Sequence, residues 1–194
     1  YHPQSPMALG AEVVRASRST GEPIRVGIVG LGTGAMACNS RPEEAWRFYE
    51  IDPVVVRIAS DPSRFRYLSS CRPNADVVLG DARLTIAREP AAAFDYLVID
   101  AFSSDAVPVH LLTVEALTLY LQKLSSDGLL ALHVSNRHLD LVSVATAVAG
   151  AVPGLHTAIA VDRPQGKGFD RTSSQVVLVS RSSAVIERVL AWPF

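Results

Sequence analysis

The chain has 194 residues, 48% apolar and 19% charged, with a formal net charge of −1. That composition excludes a disordered chain and suits one domain, 1–194, with volume for a real core. The near-neutral charge, and the lack of any run of roughly 18 to 20 uncharged apolar residues, argue against nucleic acid or a membrane as a direct partner.

No signal peptide is recognisable, and the expected location is cytoplasmic. Cys38 and Cys71 are too few for a disulfide framework and lack metal-ligand spacing, so they are expected as buried free thiols in a reducing compartment, with no metal. The chain opens at Tyr1 without a methionine and reads as a segment of something longer.

Apolar runs alternate with helix-period segments, as βαβ units do. Ile24 to Val29 is a first strand, entering Gly30-Leu31-Gly32-Thr33-Gly34-Ala35 and a short helix. Ala45 to Ile51 is a second, followed by a helix that Pro53 suits at its first turn. Residues 64 to 71 continue as helix or irregular turn. Ala75 to Leu79 is a short third strand, ending in Gly80-Asp81-Ala82-Arg83 and followed by a helix through Arg88. Phe94 to Ile99 is the fourth, followed by the Asp100 loop and a helix from about Thr113 to Lys123. Asp127-Gly128 turns into a fifth strand, Leu129 to Val134, and Leu139 to Ala149 is helical. Leu155 to Val161 and Gln175 to Ser180 are two last strands, joined by the polar segment 162 to 174, and a helix from about Ala184 to Leu190 closes the chain.

Five strand–helix repeats and then two strands with no helix between them predict an α/β, Rossmann-like fold. The sheet is expected to be seven-stranded and mostly parallel, of the adenosylmethionine-dependent transferase type, with the last strand antiparallel. In such open sheets ligands bind at the carboxyl ends of the strands. Gly30, Gly32 and Gly34 let the backbone turn tightly beside a ligand; the spacing also satisfies G-x-G-x-x-A, which leaves NAD open. Glu50 ends the second strand, where an acid accepts both hydroxyls of a ribose. Asp52 suits a helix cap. Asp81, after the third strand, is either a cap or an acceptor for the amine of adenine, with Ala82 supplying a backbone N–H. Asp100 ends the fourth strand and Asp105 follows in the same loop; two acids there could bind a cationic substrate, and one could take its proton. Ser103 and Ser104 are turn residues without a nucleophile elbow. His110, His133, His138 and His156 have no zincin spacing and are expected as packing or surface residues.

Five pieces carry a more specific likeness: Gly30-Leu-Gly-Thr-Gly, Tyr49-Glu-Ile-Asp-Pro, Gly80-Asp-Ala-Arg, Asp100-Ala-Phe-Ser-Ser-Asp-Ala-Val-Pro and His133-Val-Ser-Asn-Arg. In this order and spacing, Arg25 to Leu141 resembles the spermidine synthase family, particularly the bacterial spermidine synthase-like domains often fused to membrane segments. The chain departs from the family in lacking its small N-terminal β-domain, in carrying Thr33 where the glycine loop has an acid, and in a lengthened Asp100 loop.

The resemblance implies a catalytic domain that moves an aminopropyl group from decarboxylated S-adenosylmethionine to a diamine such as putrescine. By position, Glu50 would hold the ribose, Asp81 the adenine, and Asp100 would be the general base. Asp105 would bind the acceptor's ammonium groups, with Tyr1 and Gln4 around the pocket. A homodimer is one assembly it allows, as is the soluble domain of a larger membrane-associated protein. The alternatives are a methyltransferase using intact S-adenosylmethionine, a non-catalytic adenosyl- or polyamine-binding domain, and an NAD-dependent oxidoreductase.

Overall fold

A computed structural model describes residues 2–18, 21–101, 108–136, 138–163 and 173–192. Its strands are β1 (Arg25–Val29), β2 (Ala45–Glu50), β3 (Asp76–Leu79), β4 (Phe94–Ile99), β5 (Leu124–His133), β6 (His156–Asp162) and β7 (Ser174–Ser180). They form one seven-stranded sheet in the order β3-β2-β1-β4-β5-β7-β6. The pairs from β3 to β5 are parallel, while β7 lies antiparallel between β5 and β6. The expected α/β sheet with its late antiparallel strand is therefore the observed one.

Alternation along the buried strands splits the core into two layers, because successive side chains point to opposite faces. Val26, Ile28, Phe48, Tyr96, Val98, Leu129, Ala131 and Leu178 share one face with α1 (Pro6–Ser17) and α7 (Ser183–Ala191). Val29, Tyr49, Leu97, Ile99, Leu130, Leu132 and Val179 face the other way. They are covered by α4 (Ala82–Ala87), α5 (Val114–Lys123) and α6 (Leu141–Gly150). The remaining helices, α2 (Pro53–Ser60) and α3 (Tyr67–Cys71), follow β2.

Helix α1 has no counterpart in the expected elements. Ser5 caps it by accepting from Ala8 N–H at 3.3 Å, and Pro6 occupies its first turn. Gly10 in its middle admits Tyr96 to the helix backbone: a Cβ there would stand 2.4 Å from the Tyr96 hydroxyl, which donates to Met7 C=O at 2.8 Å. The last turn leads to Arg18, which pairs with Asp95 at the amino end of β4. The helix thus runs antiparallel to β4, its cap toward the strand's carboxyl end.

Two further expectations need correction. The strand expected from Leu129 begins at Leu124, straight after α5, with a register break against β4 between Phe94 and Tyr96. The Asp127-Gly128 pair is thereby inside an irregular strand instead of a turn before it. Cys38 and Cys71 are not buried free thiols: they form a disulfide and both positions are exposed. It links the 3₁₀ turn Ala35–Asn39, after the glycine loop, to α3. Such a bond persists in oxidising surroundings. Among the described residues no helix is long and apolar enough to cross a membrane.

Candidate active site

At the carboxyl ends of β1 to β4 lies a cleft of about 310 Å³. The ends of the four strands and the segments that follow them each place residues in it: Gly30 and Gly32, Glu50 and Ile51, Asp81 and Ala82, Asp100 and Ala101. Gly30 N–H donates to Tyr49 C=O and Asp100 N–H to Val29 C=O, both at 2.8 Å, so the loops continue the sheet's pairing beyond its strands. Gly30 has φ 93°, and a Cβ on it would stand 2.3 Å from the Asp100 carbonyl oxygen. Only glycine allows the nucleotide-type loop to lie this close to the β4 end. Gly34 also has a left-handed φ, 81°, and caps the 3₁₀ turn instead of lining the cleft.

That turn spans only five residues. The short helix expected after the glycine loop is this single turn, too short for its dipole to favour an anion.

Glu50 is 9% exposed and lines the cleft. Its Oε2 accepts from Leu31 N–H at 2.9 Å, and Oε1 from Ile51 and Asp52 N–H at 2.8 and 3.0 Å. The carboxylate is held by three backbone donors from two loops. Asp52, two residues on, turns away: its Oδ1 accepts from Val54 N–H at 2.7 Å and caps α2.

Asp81 caps a helix, one of its two expected situations, and also lines the cleft. Oδ1 caps α4 by accepting from Arg83 and Leu84 N–H at 2.9 and 3.1 Å. Oδ2 lies 3.3 Å from His110 Nε2 on the cleft wall. Ala82, 8% exposed, lies beside it.

Asp100 projects from the end of β4, and its Oδ1 lies 2.5 Å from His133 Nδ1 at the end of β5. The side chains are 12% and 13% exposed, respectively. Tyr96, four residues back on β4, has a hydroxyl pushed up first by complete burial and then by the charge of Asp100.

Gln4 is exposed, one residue before the Ser5 cap, at the α1 end nearer these strand ends. Tyr1, Asp105, Ser103, Ser104 and most of the 162–174 segment lie outside the described residues. The structure therefore brings Gly30, Gly32, Glu50, Asp81, Ala82 and Asp100 to one cleft. Two histidines expected only as packing or surface residues join these: His110 lines the cleft, and His133 lies outside the lining but pairs with Asp100. Their one sequence signal was position, His133 ending an apolar run as Asp100 does.

The described lining holds three carboxylates and no lysine or arginine. It can hold hydroxyls and amines by accepting from them and it attracts cations. Among the described residues there is no group of three His, Cys, Asp or Glu fit to hold a metal.

No family model matches the sequence. A polyamine aminopropyltransferase of Vibrio vulnificus is 38% identical over 114 residues, which are 56% of this chain and 37% of that protein. The chain thus spans well under half the length of this curated relative. Among solved structures, a probable spermidine synthase from Corynebacterium glutamicum superposes with a TM-score of 0.69 at 21% identity, covering 95% of this chain and 69% of that one. Human methyltransferase-like protein 13, solved in complex with SAH, gives 0.68 at 20%, covering 97% and 91%. These structural likenesses are evidence of fold. The chain is accordingly a sequence relative of a polyamine aminopropyltransferase, built on the adenosylmethionine-dependent transferase fold that spermidine synthases and methyltransferases share.

Proposed function

We propose that this chain carries an aminopropyltransferase site that takes decarboxylated S-adenosylmethionine as donor and a diamine such as putrescine as acceptor. The observation that carries the reading is the charge of the cleft, with three carboxylates and no lysine or arginine along its described lining. Intact S-adenosylmethionine would bring a carboxylate of its own into that field and would need a cationic partner. Decarboxylation removes that anion and leaves only the donor's sulfonium and ammonium charges, and the acceptor is a cation as well. The 38% identical relative supports the same reaction class.

In this reading Glu50, preorganised by three N–H groups, accepts the ribose hydroxyls. Asp81, with Ala82 beside it, meets the adenine edge. Gly30 and Gly32 let the backbone pass close to the nucleoside. Asp100 is the general base, and Asp105, Tyr1 and Gln4 serve the acceptor.

An alkylammonium is no nucleophile near pH 7, so the acceptor must lose a proton as it attacks. Asp100 receives that proton. The amine nitrogen bonds to the methylene carbon beside the sulfonium, the carbon–sulfur bond breaks, and its electron pair leaves sulfur as a neutral thioether. The sulfonium is already a good leaving group, so orientation by the cleft supplies much of the remaining acceleration.

Calorimetry with the decarboxylated donor, intact S-adenosylmethionine and NAD tests the proposal. The decarboxylated form should bind most tightly. Preference for the intact form would overturn it in favour of methyl transfer, and preference for NAD would remove both.

A further inference from the structure

Asp100 meets a histidine from the neighbouring strand. Strands β4 and β5 are parallel with Ile99 beside Leu132, which sets the next residues, Asp100 and His133, side by side at the strand ends. Their side chains meet at 2.5 Å through Oδ1 and Nδ1, each almost nine-tenths buried. An ionised carboxylate only accepts hydrogen bonds, so Nδ1 is the ring nitrogen that carries the proton. A charge-assisted bond in such a desolvated place is strong and fixes the orientation of both groups. Asp100 lines the cleft, whereas His133 stands behind it, outside the lining.

We infer that His133 is a positioning residue for the base, its Nδ1–H holding Asp100 Oδ1 so that Oδ2 takes the acceptor's proton. This rests on the assignment of Asp100 as base. Without the histidine the carboxyl group can rotate about its terminal torsion, which has broad wells. A small misplacement of a reacting group costs on the order of 10²-fold in rate. A donor at the Nδ1 position is what matters, and an asparagine amide N–H stands near that place while alanine and leucine supply none.

Transfer from the decarboxylated donor to putrescine should therefore fall about 100-fold in kcat in His133→Leu and His133→Ala. Both KM values should stay within about threefold, because His133 lies outside the cleft lining. His133→Asn should recover kcat to within about tenfold of the parent. Wild-type kcat in His133→Leu, or an Asn variant as slow as the Leu variant at equal melting temperature, would overturn the inference. A second readout needs no turnover: ¹⁵N-resolved imidazole spectra of the intact chain should show the proton on Nδ1, and Asp100→Ala should remove its hydrogen-bonded signal. A proton on Nε2 instead would sink the pairing itself. Should the wild-type protein transfer nothing, the reaction reading fails, and the spectra still decide the pair.

Discussion

The two ends of β4 each carry an aspartate, and their surroundings differ in kind. Asp95, at the amino end and 1% exposed, is embraced by arginines. Arg25 donates to it from its backbone N–H at 2.9 Å and from Nη2 at 2.8 Å, and Arg18 adds a further contact. Burial alone would raise this carboxyl group, but hydrogen bonds from Arg25 and the charges of Arg18 and Arg25 outweigh it and hold it below the usual carboxylate range. Asp100, five residues on, meets a histidine and faces a cleft. Fixed cations neutralise the first acid and consume its charge in holding the fold. The second pairs with a histidine at the cleft instead of with arginines.

The same division holds across the sheet. Glu44, immediately before β2, is bound by Arg15 at 2.6 Å and by Trp46 Nε1–H at 2.9 Å, while Glu50 at the strand's other end is held by backbone N–H groups facing the cleft. Acids at the amino ends have partners that bring full charge. Acids at the carboxyl ends that line the cleft are met by backbone N–H groups and histidines.

Exchanging the two aspartates for asparagine separates these roles. Asp100→Asn should lower kcat for aminopropyl transfer by about 10³-fold, within the usual range for loss of a general base. Nucleoside affinity and melting temperature should stay near wild type. Equal activity in the variant would remove Asp100 as the base, and loss of folding would make the two ends alike.

Asp95→Asn should do the reverse. Removing one partner of a buried ion pair costs about 3–5 kcal/mol, here toward the lower end because the Arg25 side chain is 46% exposed. Urea unfolding should report that loss, while kcat of the folded variant stays within a few-fold of wild type. The pH dependence follows from the sign of the shift. A carboxyl held below its unfolded value contributes stability above about pH 4 and loses it as the pH falls through the native value. Wild-type stability should drop below pH 4, and the variant should drop less. Glu44 is also held down, its burial outweighed by Arg15 and neighbouring donors, so the variant's acid limb should not be flat. An unchanged acid limb would mean that Asp95 contributes nothing to the fold's charge balance.

Much of this contrast was legible in the sequence, though only at one end of the sheet. Strand ends announce themselves where an apolar run meets Gly30, Glu50, Gly80 or Asp100, because buried parallel strands read as continuous apolar runs. Contacts across the sheet do not. His133 reaches Asp100 through the β4–β5 register, and Cys38 reaches Cys71 because α3 folds back against the turn after the glycine loop. Helix α1 carried a cap and a proline at its start, but Gly10 in its middle weakens the helical pattern, and the reason for that glycine is the Tyr96 ring from a strand far along the chain. The arginines around Asp95 have the same character: Arg18 and Arg25 are simply charged residues until the fold sets them beside a buried acid.

The finest test concerns Glu50 and Asp52, two acids separated by one residue and assigned opposite fates. Glu50→Gln keeps the side chain's shape but replaces one acceptor oxygen with an amide nitrogen that cannot receive an N–H. Charge-assisted hydrogen bonds of this type are worth about 1.5–3 kcal/mol, so affinity for the nucleoside donor should weaken about 10- to 100-fold, measured by calorimetry. Asp52→Ala removes only the cap of α2, for about 1 kcal/mol of stability. Its donor affinity should stay within about twofold, since 1 kcal/mol lost from the fold leaves the population of folded protein nearly complete. Should Asp52→Ala weaken donor binding as much as Glu50→Gln does, the cap would be a ligand residue as well. The line between acids that hold the fold and acids that serve the cleft would then run through α2 instead of between the two ends of the strands.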